Sequence, residues 1–145
     1  MKTRFFLIAI AISAVSIATS CKKDEETAKP IIKIMEIGEG DTHGNDHTAI
    51  IGGELHVEAE IVADGKIDKV HVKIHPEGDH KSTNTLEEWE LDTTYTKFSG
   101  LKNTIFHEHL EIDTIAEVGT YHFDFTVTDM EGNQSSAEAE LVISE

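Results

Sequence analysis

The 145-residue chain contains one cysteine, Cys21, so no disulfide can form within it and the fold must rest on its core alone. Cations are also scarce, with 12 Lys and Arg against 28 Asp and Glu and a formal net charge of −16. Repulsion from so acidic a chain argues against nucleic acid and anionic lipid surfaces as partners, and it favours positively charged ligands. The long apolar run Phe5–Ala18 has 14 residues, short of the roughly 17 to 25 that a permanent membrane helix needs. No serine sits in a recognisable nucleophile elbow or triad setting, and the expectation is a binding protein, not an enzyme.

What is present begins with an address. Lys2 and Arg4 precede the apolar run and Thr19-Ser20 follows it, which is the layout of a secretory signal peptide over residues 1–20. Ala18-Thr19-Ser20-Cys21 resembles the lipobox of bacterial lipoproteins, with Ala18 where Leu is usual. Cys21 is therefore the expected lipidation site, its palmitate-type acyl chains exceeding the two-signal requirement for stable anchoring. Residues 21–29 form an acidic tether, and Cys21-Lys-Lys-Asp-Glu-Glu26 resembles the export signal of surface lipoproteins in Bacteroidota. The expected location is the outer membrane, lipid-anchored and facing outward. Loss of Lys2 and Arg4 on processing takes the formal charge from −16 to −18.

Residues 30–145 suit one domain, and their patterning is that of strands. Apolar and polar residues alternate over 54–62, where Leu55, Val57, Ala59 and Ile61 oppose His56, Glu58 and Glu60. The same period of two runs through 31–37, 67–75, 104–112, 119–128 and 137–143, with Glu108 breaking the alternation in the fourth of these six. One or two short edge strands are expected within 76–103, around Trp89, Leu91, Tyr95 and Phe98. Asp129 to Asn133 reads as a hairpin turn in preference to a calcium loop. About seven strands at this spacing predict an all-β, immunoglobulin-like antiparallel β-sandwich.

The unusual abundance is histidine: nine residues between His43 and His122, against seven aromatics once Phe5 and Phe6 leave with the signal peptide. In an immunoglobulin arrangement, His43, His47, His56, His75, His80, His109 and His122 map to one end of the sandwich, with His107 one pleat pair away. His107 and His109 stand two residues apart, about 6.6 Å on one strand face, close enough to share an ion bound at about 2.1 Å. His71 and His75, four apart, are too distant to do so. Imidazoles with carboxylates around them suit Zn(II) or Cu(II), and such binding weakens toward pH 5 as protons compete for the rings.

The segments Ile51-Gly-Gly-Glu-Leu-His56, Val70-His-Val-Lys-Ile-His75, Leu101-Lys-Asn-Thr-Ile-Phe-His-Glu-His109 and Gly119-Thr-Tyr-His-Phe123, with the turn Asp129–Asn133, resemble a Bacteroidota lipoprotein family, domain of unknown function 4625, over about residues 30–143. The resemblance implies a lipidated immunoglobulin-like domain with recurrent histidines, and it brings no activity with it. Two expectations follow from the residues: a surface lipoprotein holding a transition metal, or an adhesion module that binds an envelope protein or glycan with its histidines incidental.

Overall fold

The computed structural model describes residues 28–40, 44–78 and 89–145. The expected signal peptide, Cys21, the tether as far as residue 27, His43 and His80 lie outside the described residues.

The strands are β1 (Ile31–Glu39), β2 (Thr48–Ile50), β3 (Glu54–Val62), β4 (Ile67–Pro76), β5 (Leu91–Tyr95), β6 (Asn103–Glu111), β7 (Gly119–Asp129) and β8 (Gln134–Ser144). They form a three-stranded sheet, β1-β3-β6, and a five-stranded sheet, β2-β8-β7-β4-β5. The all-β sandwich expected from the alternation is present, with eight strands in place of about seven. The extra one is β2, three residues paired parallel to β8 through Thr48–Val142 to Ile50–Ser144, too short to show a period in sequence. Among the described residues of 76–103 there is one strand, β5, paired with β4.

Inward residues of both sheets make one core: Leu55, Val57, Ala59 and Ile61 of β3, Phe106 and Leu110 of β6, Val70, Val72 and Ile74 of β4, and Tyr121, Phe123, Phe125 and Val127 of β7. Phe106 joins the sheets, its ring edge-on to Phe125 at 4.9 Å and to Tyr95 at 5.1 Å. Glu108 faces the same way as Phe106 and Leu110. Its carboxylate is matched by the Lys97 ammonium, which itself sits over the Tyr95 and Phe98 rings, so the break in alternation is met by a cation from the β5–β6 connection. Tyr121 closes the β6–β7 corner: its hydroxyl donates to the Glu117 carbonyl at 2.9 Å and accepts from the Glu117 amide at 3.2 Å, the tyrosine-corner device of β-sandwiches.

Two local features position the histidines. The β1–β3 register shifts between Ile34 and Glu36, so Met35 is the extra residue of a bulge. Ile34 faces the core before it and Ile37 after it, and Glu36 lands on the outer face opposite Glu58. Beyond the bulge, Gly38 pairs with His56. A Cβ on Gly38 would fall 2.6 Å from both the Gly44 carbonyl oxygen and Asp46 Oδ1. Glycine is what lets segment 44–46 lie against β1, where Asn45 Oδ1 accepts from the Ile37 amide at 3.2 Å and the His47 amide donates to the Ile37 carbonyl at 3.0 Å.

Candidate metal centre

On the outer face of the three-stranded sheet, the β3–β6 ladder sets His56 directly opposite His109 and Glu58 opposite His107. His56 is fully buried although it points away from the sandwich core. Its ring lies edge-on to His107 at 4.8 Å between centroids and tilted against His109 at 5.1 Å, and His107 and His109 are 5.7 Å apart. One nitrogen from each of the three lies within 4.8 Å of the others.

Carboxylates surround this triad. His56 Nε2 meets Glu36 Oε2 at 3.2 Å, His107 Nδ1 meets Glu58 Oε2 at 3.1 Å, and His109 Nδ1 meets Glu54 Oε2 at 3.2 Å. Glu36, His56 and Glu58 also have ligand atoms within 4.8 Å of one another. Two features of this set fit a cation. A carboxylate on one imidazole nitrogen fixes the tautomer and raises the basicity of the ring, as it does for metal-bound histidines. Glu36 and Glu58 are like charges directly opposite on one face, a pairing that costs stability unless positive charge lies nearby.

Tetrahedral ligation at about 2.1 Å sets nitrogen atoms about 3.4 Å apart. The triad must therefore close by at most roughly 1.4 Å, within reach of side-chain rotation at His107 and His109, which are partly exposed. His56 is the fixed point, held by Glu36 and by burial. The set as it stands is three imidazoles with carboxylates that can orient them or ligate directly, a donor set for Zn(II) or Cu(II).

The other histidines do not converge on the triad: the start of β3, the end of β6, the end of β4 and the start of β7 gather at one end as expected, but His75 and His122 stand on the other sheet. β4 and β7 belong to the five-stranded sheet, and alternation sends their polar residues to its outer face, on the opposite side of the sandwich. There His75 pairs across strands with His122, ring centroids 5.3 Å apart. His71 Nε2 donates to Asp92 Oδ1 at 2.8 Å, and this bond foremost holds the Asp92 carboxyl below its usual range. His47 lies at the β8 edge, with its ring donating to the Glu140 carbonyl at 3.2 Å.

The Asp129–Asn133 turn is also resolved. Asp129 Oδ1 accepts from the Glu131 and Asn133 amides at 3.0 and 2.8 Å, and Oδ2 accepts from the Asn133 side chain at 2.9 Å. A carboxylate engaged in this way is holding a turn.

Glu36 is the site residue that the alternation did not identify. Its signal is present in the sequence: Ile34 and Ile37 are both apolar across a gap of two residues, where a regular strand would keep a period of two. That is the mark of a bulge.

Fold and site together define a β-sandwich protein with a histidine–carboxylate cluster on the outer face of its smaller sheet. The chain matches the domain of unknown function DUF4625 over residues 19–144 and belongs to that family. No curated protein matches it. Among solved structures it is similar to the superoxide reductase neelaredoxin from Ignicoccus hospitalis, at 10% identity over 81% of this chain and 82% of that chain, with a TM-score of 0.42. It is also similar to the soluble domain of PmoD from Methylocystis sp. ATCC 49242 (Rockwell), at 15% identity over 79% of this chain and 90% of that chain, with a TM-score of 0.37. At these scores the likeness carries no functional weight.

Proposed function

We propose that this protein is an outer-membrane surface lipoprotein, anchored through Cys21, whose sandwich domain binds a transition metal ion through His56, His107 and His109. The observation that carries the reading is the triad itself: three imidazoles from two strands with nitrogens within 4.8 Å, one of them fully buried, each with a carboxylate at one ring nitrogen. Zn(II) and Cu(II) are the ions that suit neutral imidazole with carboxylate support, and the chain has no cysteine beyond Cys21 to favour Cu(I). The role is binding or handling of the ion, with no catalytic step. The acidic charge of the chain raises the local concentration of cations. Among the described residues no helix is long and apolar enough to cross a membrane, and anchoring is assigned to the lipid on the sequence of residues 18–21.

Calorimetry with Zn(II) and Cu(II) on the mature chain from Cys21 onward, held in detergent micelles, tests this reading. The expected result is stoichiometric binding tighter than about 10 μM, the range of roughly 7 kcal/mol, weakened at least tenfold in the His107→Gln/His109→Gln variant. Weaker binding in the wild type, or full retention in the variant, overturns it.

A second reading has its own support. His56, His71, His75, His107, His109 and His122 each lie within 4.0 Å of a carboxylate, as expected if these residues form structural acid–histidine pairs on an adhesion module for an envelope protein or glycan. Under that reading a pull-down from envelope extract recovers the same partner with and without chelator, and also with His107→Gln/His109→Gln. Loss of the partner in chelator returns the choice to the metal.

A further inference from the structure

We propose that the end of the sandwich where the chain enters β1 rests against the bilayer that carries the anchor, which points the histidine triad away from the membrane; this rests on anchorage through Cys21. Four pairings build that end. Ile31 stands opposite Val62, the Ala63 amide donates to the Lys102 carbonyl at 2.7 Å, the Ile67 amide to the Leu101 carbonyl at 2.8 Å and the Met130 amide to the Lys66 carbonyl at 2.8 Å. The start of β1, the β3–β4 turn, the segment before β6 and the β7–β8 turn are thereby gathered together. His56 lies six residues along β3 from Val62, about 20 Å away.

Three large apolar residues are exposed at this end: Ile31 at 64%, Leu101 at 44% and Met130 at 53%. Placed at a strand start and in two connections, they have no core to enter, and the boundary between headgroups and acyl chains removes such side chains from water. The anchor brings that boundary to them. Ile31 is ten residues from Cys21, a reach of at most about 36 Å for an extended chain.

The charges are segregated in the same sense, which the net charge of the chain conceals. Lys29, Lys33, Lys66, Lys69, Lys97 and Lys102 are exposed at or near this end. Against them stand Glu60, Asp64, Asp68, Glu131, the turn carboxylate Asp129 and Glu108, which Lys97 meets, so the end is close to neutral. At the other end, Glu39, Glu54, Glu77, Glu111, Asp113 and Glu117 have one lysine toward them among the described residues, Lys73, whose ammonium is 3.6 Å from Glu90. Glu54 and Val62 are eight residues apart on β3, about 26 Å, or some three Debye lengths of roughly 8 Å. Repulsion from anionic headgroups therefore acts on the acidic end and leaves the entering end able to touch lipid. Ile115 and Val118 are exposed as well, but they stand among Asp113 and Glu117 and stay in water.

The test couples the mature chain, through its one cysteine, to a maleimide lipid in nanodiscs of phosphatidylcholine and phosphatidylglycerol that also carry a gadolinium-chelating lipid. Amide relaxation at Ile31, Lys66 and Gly132 is expected to rise several-fold above that of Asp113 to Val118. Tethering alone gives a shallow gradient, so the variants decide. Leu101→Ser/Met130→Ser cuts the enhancement at Lys66 and Gly132 several-fold, and Ile115→Ser/Val118→Ser leaves it unchanged. If the first variant fails to fold, Lys69→Glu/Lys102→Glu, at exposed positions, is expected to cut it through charge. Equal relaxation at both ends of the wild type, or an enhancement that neither of these entering-end variants lowers, overturns the inference. Intact mass of the chain from its own membrane reads acylation separately. An unacylated chain overturns the anchor whatever the relaxation shows, whereas an acylated chain with equal relaxation keeps the anchor and sinks the docking face.

Discussion

Gly38 stands directly across the β1–β3 ladder from His56, and the space that its missing side chain leaves is filled by the Gly44 carbonyl and the Asp46 carboxylate. The absence of a side chain at Gly38 thus lets segment 44–46 pack on β1, beside the strand that carries the buried His56.

Gly38→Ala should lift segment 44–46 from β1, because Gly44 is met through its backbone and has no side chain to swing aside. The expected cost is about 1 to 3 kcal/mol, a Tm loss on the order of 5–10 °C for a domain of this size. Hydrogen exchange at Asn45 to His47 should quicken. An unchanged Tm with unchanged exchange would show that the contact is dispensable.

Deletion of Met35 removes the bulge. Ile34 and Glu36 then stand consecutively opposite Ala59 and Glu58, so the period of two becomes regular, Ile34 still faces the core and Glu36 still faces out. The deletion is expected to change stability by no more than about 1 kcal/mol in chemical denaturation. A loss above about 3 kcal/mol, the range of burying an unpaired carboxylate or exposing two isoleucines, would contradict the assignment of Met35 as the extra residue.

Tyr121→Phe keeps the packing against Trp89, whose ring is 5.7 Å away, and removes both hydrogen bonds to Glu117. A loss of about 1 to 3 kcal/mol is expected, with local opening of residues 113–118 faster by hydrogen exchange and the rest of the sheet unaffected. Uniform change across the sheet would contradict a corner role.

Asp129 ties acid stability to the last turn. Burial pushes its carboxyl up, but bonds from the Asn133 side chain and amide, and from the Glu131 and Gly132 amides, outweigh this and leave it below the usual carboxylate range. A lowered folded value means stability that is present above the unfolded value, about 3.9, and is lost as pH falls through the folded one. Asp129→Asn should therefore be less stable than wild type at pH 7 by about 1 to 3 kcal/mol, with the two converging as pH falls through the lowered folded value of Asp129. Parallel pH–stability curves would refute the assignment.

Much of the fold was legible along the chain because strands carry a local code. Leu55 to Ile61 and Tyr121 to Val127 alternate without error, and their inward residues are all buried, with His56 the one outward residue of these stretches that is buried too. The i, i+2 relation of His107 and His109 is local too, and both join the triad. Strand β2 was hidden because three residues carry no period. Glu36 was hidden because a bulge reverses the phase of everything after it.

The sequence by itself determined the six long strands, the outward placement of His56, His107, His109, His75 and His122, and the turn at Asp129. Each of these follows from backbone geometry over a few residues. Which histidines meet was decided only by the tertiary structure. His56 finds His109 across 53 residues of chain because β3 pairs with β6, while His75 finds His122 because β4 pairs with β7. Pairing between distant strands depends on how two whole sheets close over one core, and alternation then sends the two histidine pairs to opposite faces.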